Sequence, residues 1–244
     1  MPCAHRAAWY FCELAAGLSV GDALSDLQLA AEELENFRAA LAWAREQGEC
    51  ELLALAMCRI WPLMNLQGAI AEAIDWLQTA IDCCRTREQA RRHRGLLVAL
   101  AVCLKLDRQF ERAQDALDRC AVLSAEAKTP NDATGLWRML EQGALLYEMG
   151  CLEEAAVALE RSREANVRAG QPRWVAESLR CLAKLALEQD APERAEALLK
   201  EALELEDPQT QAWGVGNTLW QLGRARRVRG NLGGAREAME ESVR

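Results

Sequence analysis

Histidine is almost missing from this chain, with only His5 and His93 in 244 residues. That scarcity argues against imidazole-ligated metal and against acid–base catalysis by the commonest catalytic side chain. No run of 18 apolar residues occurs, so no membrane-spanning helix is expected. Prolines number six and aromatics make up 5% of residues, which leaves little material for strands and favours helix. The pattern Gly-x-x-x-x-Gly-Lys-Ser/Thr is absent, and with it a loop to cradle nucleotide phosphates. Basic excess is lacking too. A net charge of −8 argues against gripping nucleic acid through its phosphates. Two short basic stretches, Arg91-Arg92-His93-Arg94 and the set Arg224, Arg226, Arg227 and Arg229, read as solvated helix faces.

Ten cysteines are present, yet no Cys-x-x-Cys occurs. The closest pair, Cys83-Cys84, would diverge by about 100° on a helix. Cys58, Cys103, Cys120 and Cys181 fall on or beside apolar helix stripes, so they read as reduced core residues acting as small hydrophobes. No metal and no cofactor are expected. The opening Met1-Pro2-Cys3-Ala4-His5-Arg6 lacks the apolar core of a secretory signal, and the cytoplasm is the expected compartment.

What the chain has is a period. Ala73, Ala113, Ala155, Ala195 and Ala235 are separated by 40, 42, 40 and 40 residues. Five residues before each stands Gly68, Arg108, Gly150, Asp190 or Gly230. Four after comes Leu77, Leu117, Leu159, Leu199 or Met239, and seven after comes Ala80, Cys120, Ser162, Ala202 or Ser242. Residues four and seven apart share a helical face, so each set forms one stripe whose small members admit a second helix. The residue five before falls in a tight turn, where a left-handed backbone is needed. Such a fixed period is the mark of stacked helical hairpins.

These residues resemble the tetratricopeptide repeat. The matches are Leu222-Gly223 and Leu182-Ala183, the turn at Gly150, the Glu154-Ala155 step and the closing small residue. The ordinary repeat is about 34 residues long, so each hairpin here carries roughly one and a half extra helical turns. Residues 172–189 and 192–206 fit single helices of that longer kind. The expected fold is all-α, a right-handed superhelical solenoid of about five long tetratricopeptide-like hairpins.

Punctuation falls between the hairpins. Asn131 or Asp132 is placed to cap the third hairpin, Pro172 opens the fourth, and Asp207-Pro208 repeats that device before the fifth. Thr86 with Gln89 fits a capping box, and Pro62 is expected to kink its helix. Residues 1–48 lack the repeat spacing and read as an N-terminal helical entry segment before a repeat array at 49–244. That segment holds one amphipathic stretch over 5–18 and another over 24–47, interrupted at Gly21-Asp22.

The run Glu35-Asn36-Phe37-Arg38-Ala39-Ala40-Leu41-Ala42-Trp43, with Ile60-Trp61-Pro62 and Glu72-Ala73-Ile74-Asp75-Trp76-Leu77, resembles the entry to the repeats of STAND-class bacterial signal-transduction ATPases. That group includes transcriptional regulators of the LuxR and AfsR types. The resemblance covers residues 5–80, and nothing matches the ATPase itself. It implies the sensor or regulatory arm of such a regulator. The break at residues 237–244, inside a second helix, fits an excised piece. A free-standing tetratricopeptide adaptor is the alternative.

No catalytic set is expected, because the paired carboxylates Glu153-Glu154 and Glu240-Glu241 have no histidine or serine at matching places. Trp9, Trp43, Trp61 and Trp76 are expected to form an aromatic core near the entrance. Trp137, Trp174, Trp213 and Trp220 sit near the starts of first helices and read as packing between repeats. Counting back from each turn selects the inward positions of the first helices. They give Arg59, Asn65, Lys105, Trp137, Tyr147, Arg180, Lys184, Asn217, Gln221, Arg224 and Arg227 as a candidate ligand- or peptide-binding groove. Six cations there face three acids, Glu148, Glu177 and Glu188, so the groove leans basic on an acidic protein. The bland alternative is that these charges pair among themselves. Expected partners are a protein or peptide, including the ATPase core of a parent chain, or a small inducer, with no direct nucleic acid and no membrane.

Overall fold

The computed structural model describes residues 3–17, 28–29, 31–208 and 211–243. Among them are thirteen helices and no strand. Three lie outside the hairpins: α1 (Cys3–Gly17), α2 (Leu34–Gln47) and the short α5 (Arg87–Arg92). The other ten pair into five hairpins. These are α3 (Cys50–Leu66) with α4 (Ile70–Cys83), α6 (Gly95–Leu106) with α7 (Phe110–Glu126), and α8 (Ala133–Glu148) with α9 (Leu152–Arg168). The last two are α10 (Pro172–Glu188) with α11 (Pro192–Leu205), and α12 (Ala212–Val228) with α13 (Leu232–Glu241).

Every hairpin turn has the same construction. Gly68, Arg108, Gly150, Asp190 and Gly230 all adopt left-handed φ values between 54° and 80°. The amide after each one bonds the carbonyl five residues back, as in Ala69 to Met64 and Ala191 to Ala186, both within 2.9 Å. The amide of the turn residue bonds the carbonyl three back, as in Asp190 to Leu187. This double closure satisfies carbonyls that a helix end otherwise leaves open. Glycine adopts the conformation at least cost. Arg108 and Asp190 hold it because the surrounding bonds over-determine it.

The period seen in the sequence is the core. Ala73, Ala113, Ala155 and Ala195 are fully buried and Ala235 nearly so, while Leu77, Leu117, Leu159 and Leu199 are closed from solvent. Close approach also explains Gly143, where a Cβ would fall 2.7 Å from Leu159, and Gly223, where it would meet Met239 at 2.6 Å. Met239 and Ser242, the fifth copies, are only half-buried. Cys103 and Cys120 are fully buried and Cys181 nearly so, as small core residues are.

The chain divides into two compact units, Met1–Gly135 and Leu136–Arg244. In the first, α1 packs on α2 and α3, α4 on α6, and α5 on α7. Arg38 joins α2 to α4 through two bonds to Glu72, at 2.6 and 2.8 Å. In the second, α10 packs between α9 and α11, and α12 between α11 and α13.

Several local expectations need correction. The stretch over 24–47 is not one helix: Glu33 sits in a turn, and α2 starts at Leu34. Gly21-Asp22 lies outside the described residues. The Thr86–Gln89 capping box forms, but it starts the separate short α5, which the hairpin pattern does not contain. Asp132 caps as expected, accepting from the Gly135 amide at 3.0 Å. Pro172 stands in the first turn of α10, whereas Pro208 lies in a turn ahead of α12. Pro62 lies inside α3, as its place in the sequence predicts. Near the entrance Phe37 is buried and meets Phe11 edge-on at 6.2 Å. Trp9 is exposed, and Trp43, Trp61 and Trp76 are only half-buried. The Trp76 ring lies beneath the Arg45 guanidinium at 5.0 Å.

Candidate functional site

The two basic stretches do structural work. His93 is buried with Nε2 2.8 Å from Glu51 Oε2, and Arg92 reaches the same carboxylate at 3.2 Å. The hydrogen bond from His93 holds the Glu51 carboxyl below its ordinary range, against the opposing effect of burial. Arg94 bonds Asp132 and, at 3.1 Å, both Ser124 and Thr129. This stretch therefore clasps α3, α7 and the joint before α8, and it is no solvated face. In the second stretch, Arg226 and Arg229 converge with Lys200 on the buried Glu196. Burial alone would raise that carboxyl, but hydrogen bonds from Lys200, Arg229 and Arg226 outweigh it and hold it at about 2.

The inward first-helix residues fall in both units. In Met1–Gly135, Arg59 is exposed and Lys105 half-buried, while Asn65 donates to Cys103 Sγ at 3.4 Å and so links α3 with α6. The remaining eight belong to Leu136–Arg244. On α8 and α10, Trp137 stacks on Trp174 with ring centres 6.2 Å apart and planes 22° from parallel. Arg173 lies over Trp174 at 5.3 Å. Tyr147 donates its hydroxyl to Glu188 at 3.3 Å. Burial, then the Glu188 charge, push the Tyr147 hydroxyl up to about 12, while the Arg224 charge pulls the other way. Arg224 of α12 is thus electrostatically in reach of a tyrosine on α8.

Two candidates are corrected. Arg180 is buried, 3% exposed; its two terminal guanidinium nitrogens bond protein partners, while its buried Nε has none among the described residues. It bonds Glu177 and Glu206, and lies 3.0 Å from Thr218 Oγ1. Thr218 donates to the other Glu206 oxygen at 2.8 Å. The longer helices bring α12 over this position, so the cation becomes an interhelical tie. Gln221 is likewise buried and donates to Asn217 at 3.1 Å. Glu177 pairs with Arg180, so part of the charge does pair internally, while Glu188 accepts the neutral Tyr147 hydroxyl.

Three cations remain outside that pairing. Lys184, Arg224 and Arg227 have no carboxylate within 4.0 Å among the described residues. Arg224 instead stacks over Trp220 at 5.1 Å. Trp213 and Trp220 are 58% and 47% exposed, unlike the stacked pair Trp137 and Trp174. Inter-repeat packing therefore describes the first two tryptophans of this unit and not the last two. Counting inward positions missed Trp174 and Trp220; the spacing of four between Trp220 and Arg224 was the available signal.

No family model matches the sequence, and no curated protein is similar to it. Solved structures are similar in fold. A Rap protein complexed with competence and sporulation factor is 12% identical over 98% of this chain and 75% of its own, with a TM-score of 0.69. NprR in complex with its cognate peptide NprX is 14% identical over 89% of this chain and 63% of its own, at 0.68. A kinesin light chain with nearly identical TPR-like repeats from Podosopora anserina is 16% identical over 77% and 92%, at 0.53. At such identities the likeness concerns fold alone. The chain has the all-α, tetratricopeptide-like helical-repeat fold of the solenoid class.

Proposed function

We propose that this chain is a non-enzymatic interaction module that receives a protein or peptide partner on the first-helix face of residues 136–244. The observation that carries the reading is the coincidence there of exposed Trp213 and Trp220 with three cations that have no carboxylate within 4.0 Å among the described residues. Exposed indole beside unpaired guanidinium is the composition of interface hot spots. The NprR structure, which holds a peptide on a similar fold, supports the same reading.

The finer reading is regulatory. Residues 1–48 serve as an entry segment and 49–244 as the array of a cytoplasmic sensor arm in a STAND-type regulator of transcription. Its partner there is the ATPase core of the parent chain or a small inducer. What supports this is the resemblance over residues 5–80. The adaptor alternative needs only the interaction face. A partner shifts either system between states only by differential affinity.

A random twelve-residue peptide library panned on the immobilised chain tests the module. Enrichment should vanish when Trp220→Ala and Arg224→Ala are combined. Peptides that bind the double variant equally well would remove this face from consideration, and no enrichment at all would sink the reading.

A further inference from the structure

We infer that the partner is an acidic linear segment, with two carboxylates seated on Lys184 and Arg224. The inference rests on the interaction reading above and narrows it. Lys184 and Arg224 occupy the same place in their hairpins, six residues before the turns at Asp190 and Gly230. Their helices, α10 and α12, touch, while each packs more extensively on α11, and closely packed helix axes lie about 8–10 Å apart. An extended chain advances about 3.3 Å per residue, so carboxylates two or three residues apart span roughly that distance.

The charge balance around these two cations is specific. Of the acids nearest on the same first helices, Glu177 is bonded by Arg180, whereas Glu188 accepts the Tyr147 hydroxyl and keeps its charge four residues from Lys184. The neighbouring cations Arg226 on α12 and Arg229 at its C-terminal cap are both bonded to Glu196. Lys184, Arg224 and Arg227 then face Glu148 and Glu188, a balance of three cations to two acids on a chain of net charge −8. Stacking on Trp220 restricts the Arg224 guanidinium, so less rotamer freedom is lost when it binds. The exposed indole beside it would receive an apolar side chain flanking the acid. A cationic or neutral segment keeps the apolar contact but gains nothing from the two cations.

The test uses the full chain and synthetic twelve-residue peptides carrying two glutamates two, three or four residues apart around one leucine. Isothermal titration at several salt concentrations compares them with versions in which lysine or glutamine replaces both glutamates. At least one acidic peptide should bind, the lysine and glutamine versions should not, and affinity should fall as salt rises. Lys184→Gln with Arg224→Gln, which keeps much of both stems, should weaken binding at least tenfold and flatten the salt dependence. Arg161→Gln with Arg194→Gln removes two exposed cations from the second helices α9 and α11 and should change little. Equal losses in both double variants would overturn the site in favour of diffuse charge. Binding of the lysine or glutamine peptides as tightly as the acidic ones would overturn the acidic class. If no acidic peptide binds while the panned library does, the inference falls and the module stands; if neither binds, both fall.

Discussion

Replacing Arg180 by leucine should be among the most damaging single changes in the second unit. The wild-type guanidinium touches Glu206, Glu177 and Thr218, and the Glu206 side chain is only 2% exposed. Leucine fills most of the space but leaves Glu206 with the Thr218 hydroxyl alone. Stranding one member of a buried pair costs about 3–5 kcal/mol. Glu177 is half-exposed and rehydrates, so it adds little. Removing both partners is different. Arg180→Leu with Glu206→Leu eliminates the stranded charge and should recover most of the loss, ending within about 1–2 kcal/mol of the parent. Urea unfolding followed by circular dichroism reads the difference. Hydrogen exchange over residues 206–228 locates it, because repeat arrays open in pieces. A single variant within about 1 kcal/mol of the parent would refute the reasoning, as would a double variant less stable than the single one.

The alanine stripe should be equally intolerant: Ala155→Glu or Ala195→Glu places a charge at a fully buried position, costing several kcal/mol in thermal or urea melts. Glu196 makes stability depend on acid. Its folded carboxyl is held at about 2, below the ordinary value of about 4.3, so its contribution is complete above that value and is lost as pH falls from about 5 towards 2. Melting curves across that window should fall more steeply for the parent than for Glu196→Gln, and parallel curves would contradict the assignment.

The hairpins were legible because one physical requirement repeats five times. A buried alanine, a left-handed turn five residues earlier and a large apolar residue four later are all local in sequence. Even Arg108, an unpromising turn residue, is located by its place in the period. What resisted reading depends on partners distant in the chain. Arg180 and Lys184 look alike four residues apart on α10, yet Arg180 is buried because Glu206 and Thr218 arrive from 26 and 38 residues on. The stretch 91–94 looks like a solvated basic run until Glu51 and Asp132 are folded against it. Short-range pattern fixes which face is apolar; it does not say which polar face a later helix will cover. The division of site residues between two compact units was invisible for the same reason.

The five identical turn closures bear on how such a chain changes length over generations. Spacing between turns is 40 residues except for one interval of 42, from Arg108 to Gly150. The distance from turn to buried alanine never varies, so indels are absorbed in the joints between hairpins, such as 127–132 ahead of α8. A hairpin is then close to an exchangeable cassette, except where a tie such as Arg180 with Glu206 and Thr218 links it to the copy that follows. Unequal recombination could add or delete whole cassettes, altering the reach of the array in steps of one hairpin while every turn keeps its geometry.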